Sequence, residues 1–297
     1  MSQIPALFEE EPAALEPLGP TGRPWPDLPE VTPPQRLPGH RALVIAMTNQ
    51  KGGVGKTTTT INLGAALAET GRRILLVDFD PQGSLSVGLG VNPHTLEKSI
   101  YNLLLAKDVS VGDVILPSPV EGMDILPANI DLSAAEVQLV SEVAREQTLR
   151  RVLSKVRHDY DIILIDCAPS LGLLTVNALT AADQVLIPLE LEFFALRGVA
   201  LLTDTIEKVT DRLNPELEIL GIVGTMYDGR TLHSREVLER VVEAFGETVF
   251  HTVIRRTVKF PETTVAGEPI TTYAPTSGGA TSYRTLAREV LARCPGA

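Results

Sequence analysis

Residues Lys51-Gly52-Gly53-Val54-Gly55-Lys56-Thr57-Thr58 put glycines, two cations and two hydroxyls into one short stretch, the make-up of a loop that wraps an anion. Glycine lets the backbone turn its N–H groups inward, and a helix starting just after the loop adds partial positive charge. Lys56 is placed to reach the outer phosphates of a nucleotide, and the Thr57 hydroxyl to ligate a magnesium ion. Two further segments carry acids at the ends of apolar runs. In Ile74-Leu75-Leu76-Val77-Asp78-Phe79-Asp80-Pro81 the two aspartates are two residues apart, so on a strand both share a face. The other reading of Asp80 is a cap on the turn that Pro81 begins. In Asp161-Ile162-Ile163-Leu164-Ile165-Asp166, Asp166 closes the run and can hold a magnesium-bound water or accept from Thr57. Buried carboxylates are costly without a cation, water or donor beside them, so acids at strand ends are informative.

The elements that must position these groups alternate regularly. Continuous apolar runs predict strands over 43–47, 73–78, 123–127, 161–166, 184–188 and 219–226, the pattern of strands covered on both faces. Helical spacing is found over 58–70, 134–157, 171–179, 196–213 and 235–245. This predicts an α/β fold with a doubly wound, mostly parallel sheet and helices on both faces, of the P-loop NTPase type. Ligands then bind at the carboxyl ends of the strands, where the glycine loop already sits.

Ten of the 22 prolines precede residue 40. That density removes backbone donors, so residues 1–40 are expected to be a disordered or extended acidic leader, and 41–297 the folded domain. Two cysteines are too few for a disulfide framework, no secretory signal opens the chain, and no apolar stretch approaches the ~20 residues of a membrane span. A cytoplasmic protein is expected. The net charge of −11 argues against indiscriminate nucleic-acid binding by the whole surface. The leader holds six acids against two bases, whereas residues 228–297 hold nine bases against eight acids, so a DNA-facing surface is sought in that last stretch.

A strict phosphate-loop pattern needs glycine where this chain has Gln50, and it has Lys51 just ahead of the glycines. Asn49 to Thr58 resembles the deviant Walker A motif of the ParA/MinD group of ATPases, and the ParA/Soj form in particular. The Asp78–Gly83 stretch resembles the family's D-x-D-P-Q-G segment, and 161–169 its Walker B strand. The resemblance extends through Gly221 to Thr231 and Tyr273 to Ser277, and so covers 41 to about 293. It implies that Lys51 contacts the nucleotide of a second subunit, that Asp80 orients the attacking water, and that Asp78 supports the magnesium shell. It further implies ATP and Mg2+ as ligands, an ATP-dependent homodimer, nonspecific double-stranded DNA, a ParB-like stimulating protein and a nucleoid-associated location. Residues 253–262 depart from the family form: Arg255 and Thr257 stand where proline and asparagine are usual, at positions bordering the base. Arg230, Arg256 and Lys259 are the DNA-facing candidates. A MinD-like ATPase acting on membrane and a nucleotide-gated scaffold with little hydrolysis are the alternatives. The segment 280–293, apolar at helical spacing, is expected to pack on the sheet rather than bind membrane.

Overall fold

The computed structural model describes residues 18–296 apart from Gln35, Leu37, Lys107 and Phe194. Strands are β1 (Leu43–Met47), β2 (Ile74–Phe79), β3 (Leu116–Pro117), β4 (Met123–Leu126), β5 (Ile162–Cys167), β6 (Gln184–Glu190), β7 (Glu218–Tyr227) and β8 (Val249–Arg255). Helices are α1 (Lys56–Ala68), α2 (Ser84–Gly88), α3 (Ile100–Leu105), α4 (Leu132–Gln138), α5 (Thr148–Leu153) and α6 (Leu173–Ala181). They continue with α7 (Ala195–Arg212), α8 (Leu232–Phe245), α9 (Lys259–Ala266), α10 (Ile270–Tyr273) and α11 (Gly278–Arg293).

The strands form one sheet in the order β3-β4-β2-β5-β1-β6-β7-β8, parallel throughout except for β3 against β4. Alternation along each strand splits the core in two. Val44, Ala46, Ile163 and Ile165 face a layer built by α3 to α8, and Ile45, Met47, Ile162 and Leu164 face α1, α2, α10 and α11. The doubly wound sheet expected from the sequence is therefore present. α1 is buried on nearly all sides because it lies under α11 and hard against β2. A Cβ on Gly64 would stand 2.7 Å from Leu76 Cδ2, so this close approach needs glycine. Tyr283, Leu286, Ala287 and Val290 bury the inner face of α11 completely or nearly so. Among the described residues no helix is long and apolar enough to cross a membrane.

Two differences from the sequence reading have local causes. The helix expected over 134–157 breaks between α4 and α5, where Ala144 takes φ 55°. The break is stabilised by Asn177, which accepts from Leu149 N and donates to Arg145 O. β8 extends the sheet where no strand was expected. Of the leader expected to be disordered or extended, the part from residue 18 is described, while residues 1–17 lie outside the described residues. Residues 18–24 form a turn closed by a Leu18–Pro24 bridge, 25–34 continue without helix or strand as a strap, and Arg23 donates to Gly246 O and Val249 O. Leu28 O and Thr32 O accept from Arg288 and Arg72, and Arg36 clasps Asp161. Proline prevents the strap from forming helix or sheet, yet cationic side chains pin it across the amino ends of the strands.

Candidate functional site

β1 ends between β5 and β6, with Met47 in register with Asp166 on one side and Leu186 on the other. The loop that follows is braced from both neighbours. Asn49 Nδ2 donates to Pro188 O on β6 at 2.8 Å while its Oδ1 accepts from Lys51 N at 3.0 Å. From β7, Thr225 Oγ1 donates to Val54 O at 2.8 Å. Gly53 and Gly55 have φ of 77° and 87°, and a Cβ on Gly53 would meet nothing within 4 Å, so the cradle is open above it. α1 begins at Lys56. The residue is 7% exposed, and its ammonium donates to Lys51 O at 3.1 Å. Burial lowers its pKa, against the attraction of Asp166.

The parallel register of β2 and β5 sets Asp78 opposite Asp166. Thr57 Oγ1 donates to Asp166 Oδ2 at 2.6 Å, joining the helix start to the strand end. Burial, and then the neighbouring Asp78 charge, push the Asp166 carboxyl up to about 8. Asp78 departs from its expected place. It is fully buried and does not line the cleft; its Oδ2 accepts from Ser86 N at 2.9 Å and from Ser86 Oγ at 2.6 Å. Burial raises it to about 6 against these bonds. These bonds tie the end of β2 to α2. Asp80 does line the cleft, and its Oδ1 accepts from Gln82 N at 3.0 Å, which is the turn cap of the other sequence reading.

The loop opens into a cleft of about 350 Å³ lined by Gly52, Gly53, Lys56, Thr57, Asp80 and Glu268 among others. Sharing Gly55, Thr58, Met226 and Thr264 with it is a more apolar recess of about 340 Å³, which Arg255 and Thr257 border as expected. Phe260, packed edge-on against Tyr283, floors that recess, and Met226 reaches it through a strained φ of 55°. Sequence reasoning missed Asn49, Met226, Phe260 and Tyr283. Only Asn49 had a local signal, a short polar residue between a strand and a glycine turn.

On the rim, Lys51 Nζ lies 2.8 Å from Glu190 Oε2 and 2.7 Å from Glu192 Oε2. Arg256 N donates to Tyr227 O, which brings the end of β8 beside the end of β7 and the turn carrying Arg230. Arg256, Lys259 and Arg230 thus border one edge, although Arg230 is engaged by Asp228 in a forked pair at 2.9 and 2.8 Å. Among the described residues no three His, Cys, Asp or Glu side chains cluster to hold a metal by themselves. A hydroxyl and one carboxylate beside a phosphate cradle suit magnesium, which keeps waters and leans on phosphate oxygens.

An AAA-domain family model matches residues 42–219. A Mycobacterium tuberculosis protein is 63% identical over 93% of this chain and 86% of its own length. The sporulation initiation inhibitor protein Soj of Bacillus subtilis is 49% identical over 84% of this chain and 98% of its own length. The chromosome partitioning protein ParA of Caulobacter vibrioides is 46% identical over 84% and 94%. Among solved structures, cobyrinic acid a,c-diamide synthase from Mycobacterium smegmatis, with a bound ATP analogue and magnesium, is 45% identical. It covers 83% of this chain and 93% of its own, with a TM-score of 0.73. The cell division ATPase MinD of Pyrococcus furiosus is 30% identical over 84% and 98%, with a TM-score of 0.70.

Proposed function

The chain belongs to the ParA/Soj family of partition ATPases, and on that premise we propose that it runs an ATP-driven cycle of dimerisation, nonspecific DNA binding and release. The observation that carries this is the Thr57–Asp166 hydrogen bond at the mouth of an open glycine cradle that also holds Lys56. Phosphates occupy the cradle, held by the backbone of Gly52 to Thr58 and by the Lys56 ammonium. The base enters the recess between Met226, Phe260 and the Arg255–Thr257 edge. Thr57 and Asp166 hold magnesium, which supplies charge neutralisation on the phosphate oxygens. Asp80, on the cleft wall, orients the water that attacks the outer phosphate, giving ADP and inorganic phosphate. Lys51 completes the charge balance from a second subunit, as an arginine finger does in trans. Catalysis is then positioning and electrostatics, with little covalent work for the chain, and a ParB-like partner accelerates it.

Arg230, Arg256 and Lys259 form the DNA-facing edge, reading phosphate charge without base preference. The membrane alternative loses its structural element, since the apolar face of α11 is buried against the sheet. Neither cysteine is placed for nucleophilic work. Both are buried, and burial pushes both thiols up, Cys294 to about 12.

The test is binding to random-sequence duplex DNA with ATP, with ADP and without nucleotide, each titrated against salt. Binding with ATP alone, weakening steeply as salt rises, is expected. Binding that ignores nucleotide, or none in any state, overturns the DNA part of this reading.

A further inference from the structure

Lys51 does not project freely from its loop. Two acids of its own chain hold the ammonium: Glu190, which ends β6 with its side chain 12% exposed, and Glu192 just beyond, which is half exposed. Asn49 ties the backbone of Lys51 to β6 as well, through Lys51 N on one side and Pro188 O on the other. The second oxygen of Glu190 lies 3.7 Å from Arg256 Nη2, so one carboxylate serves both cations. The cation assigned above to another subunit's nucleotide is therefore occupied in cis.

A lysine paired with two carboxylates cannot also neutralise a distant phosphate. To reach a partner it must leave both acids, one of which is largely shielded from water. It must do so in both subunits before a symmetric dimer closes. Those ion pairs are lost on closure whether or not the nucleotide is already seated, so they weigh on dimerisation rather than on nucleotide capture. We propose that Glu190 and Glu192 are positioning residues that clamp Lys51 in the monomer and so raise the protein concentration at which the nucleotide-bound dimer forms. The clamp rests on the trans role given to Lys51.

The test uses the full chain with magnesium and a non-hydrolysable ATP analogue, following dimer formation by sedimentation velocity and monomer nucleotide affinity by a fluorescent analogue. Glu190→Gln with Glu192→Gln should dimerise at about tenfold lower protein concentration, because exposed ion pairs are few-fold effects and both subunits lose them. The shift falls on the dimer constant rather than on nucleotide affinity, a split that a merely structural role would not give. Glu192→Asp, which keeps the charge, should remain near the parent. Should the double variant fail to fold, Glu192→Gln alone, at its half-exposed position, must move the dimer constant in the same direction. Dimerisation that is unchanged or weaker in the Gln variants overturns the clamp. Lys51→Ala separates the two levels of the inference. If it still closes a normal dimer, the trans reading itself fails. If it cannot dimerise while the Gln variants behave as the parent, only the clamp fails.

Discussion

Asp161 and Asp166 bracket the same strand and are almost equally buried, yet the fold treats them in opposite ways. Asp161, at the amino end of β5, receives Arg36 Nε and Nη2 at 2.9 and 2.7 Å and Arg73 N at 2.7 Å, with His40 Nε2 at 3.2 Å. Burial alone would push it up, but the Arg36 fork and the Arg73 N–H hold its carboxyl below the usual range. At the carboxyl end, Asp166 has one short hydrogen bond, from Thr57, and faces Asp78 across the register. Its carboxyl is pushed up to about 8, chiefly by burial. One end of the sheet is a finished structural joint. The other is a site whose charge is left unbalanced until a ligand arrives, the condition expected of a functional centre.

The contrast breaks most visibly at Lys56. Lys56→Ala should lower ATP affinity about a hundredfold or more, since it removes charge-assisted contacts to phosphate. It should leave urea stability of the ligand-free protein intact, because the lysine, which lines the cleft, makes no ion pair among the described residues. Asp161→Ala should do the reverse. It leaves Arg36 and Arg73 N without the Asp161 acceptor and should cost about 3 kcal/mol of unfolding free energy, as broken buried pairs do, while ATP affinity is kept. Urea titration beside fluorescent-nucleotide binding reads both. An Asp161→Ala protein that folds normally but loses ATP would refute the division between the two ends.

How legible each end was follows from how local its chemistry is. The glycine cradle, Asp80 and Asp166 could be read because strand, turn and helix start are contiguous there, and burial of the strand sets the facing of its last acid. The Asp161 joint was invisible, since Arg36 comes from 125 residues away in a segment whose prolines announce only what it cannot form. The same distance hid the acids around Lys51, 139 and 141 residues on, and the recess built from Met226, Phe260 and Tyr283. β8 escaped because His251 and Thr252 interrupt its apolar run; in the fold, Glu289 on α11 accepts both of their backbone N–H groups. Strand alternation put Asp78 on the same face as Asp80, and it cannot foresee that Ser86 on α2 donates twice to Asp78 Oδ2.

The two aspartates should also separate in pH, with the smallest effect of the three. Asp161 has a folded-state pKa below its unfolded value near 3.8, so its stabilisation is complete above that value and is lost as pH falls through the folded one. Asp166 has the opposite sign. The folded chain keeps a proton up to about 8 that the unfolded chain releases near 3.8, so ligand-free stability declines as pH climbs between them and is lowest above. Asp78, at about 6, adds to the same decline. Asp166→Asn should therefore stabilise the ligand-free protein at pH 9 by about 1–2 kcal/mol and by less at pH 6, flattening the alkaline side of the profile. The acid side, set by Asp161, should stay as it was. Urea midpoints measured from pH 3 to pH 9 decide it. An alkaline slope that survives Asp166→Asn would mean that the carboxylate is already ionised without ligand, and the two ends of β5 would then be less different than their surroundings indicate.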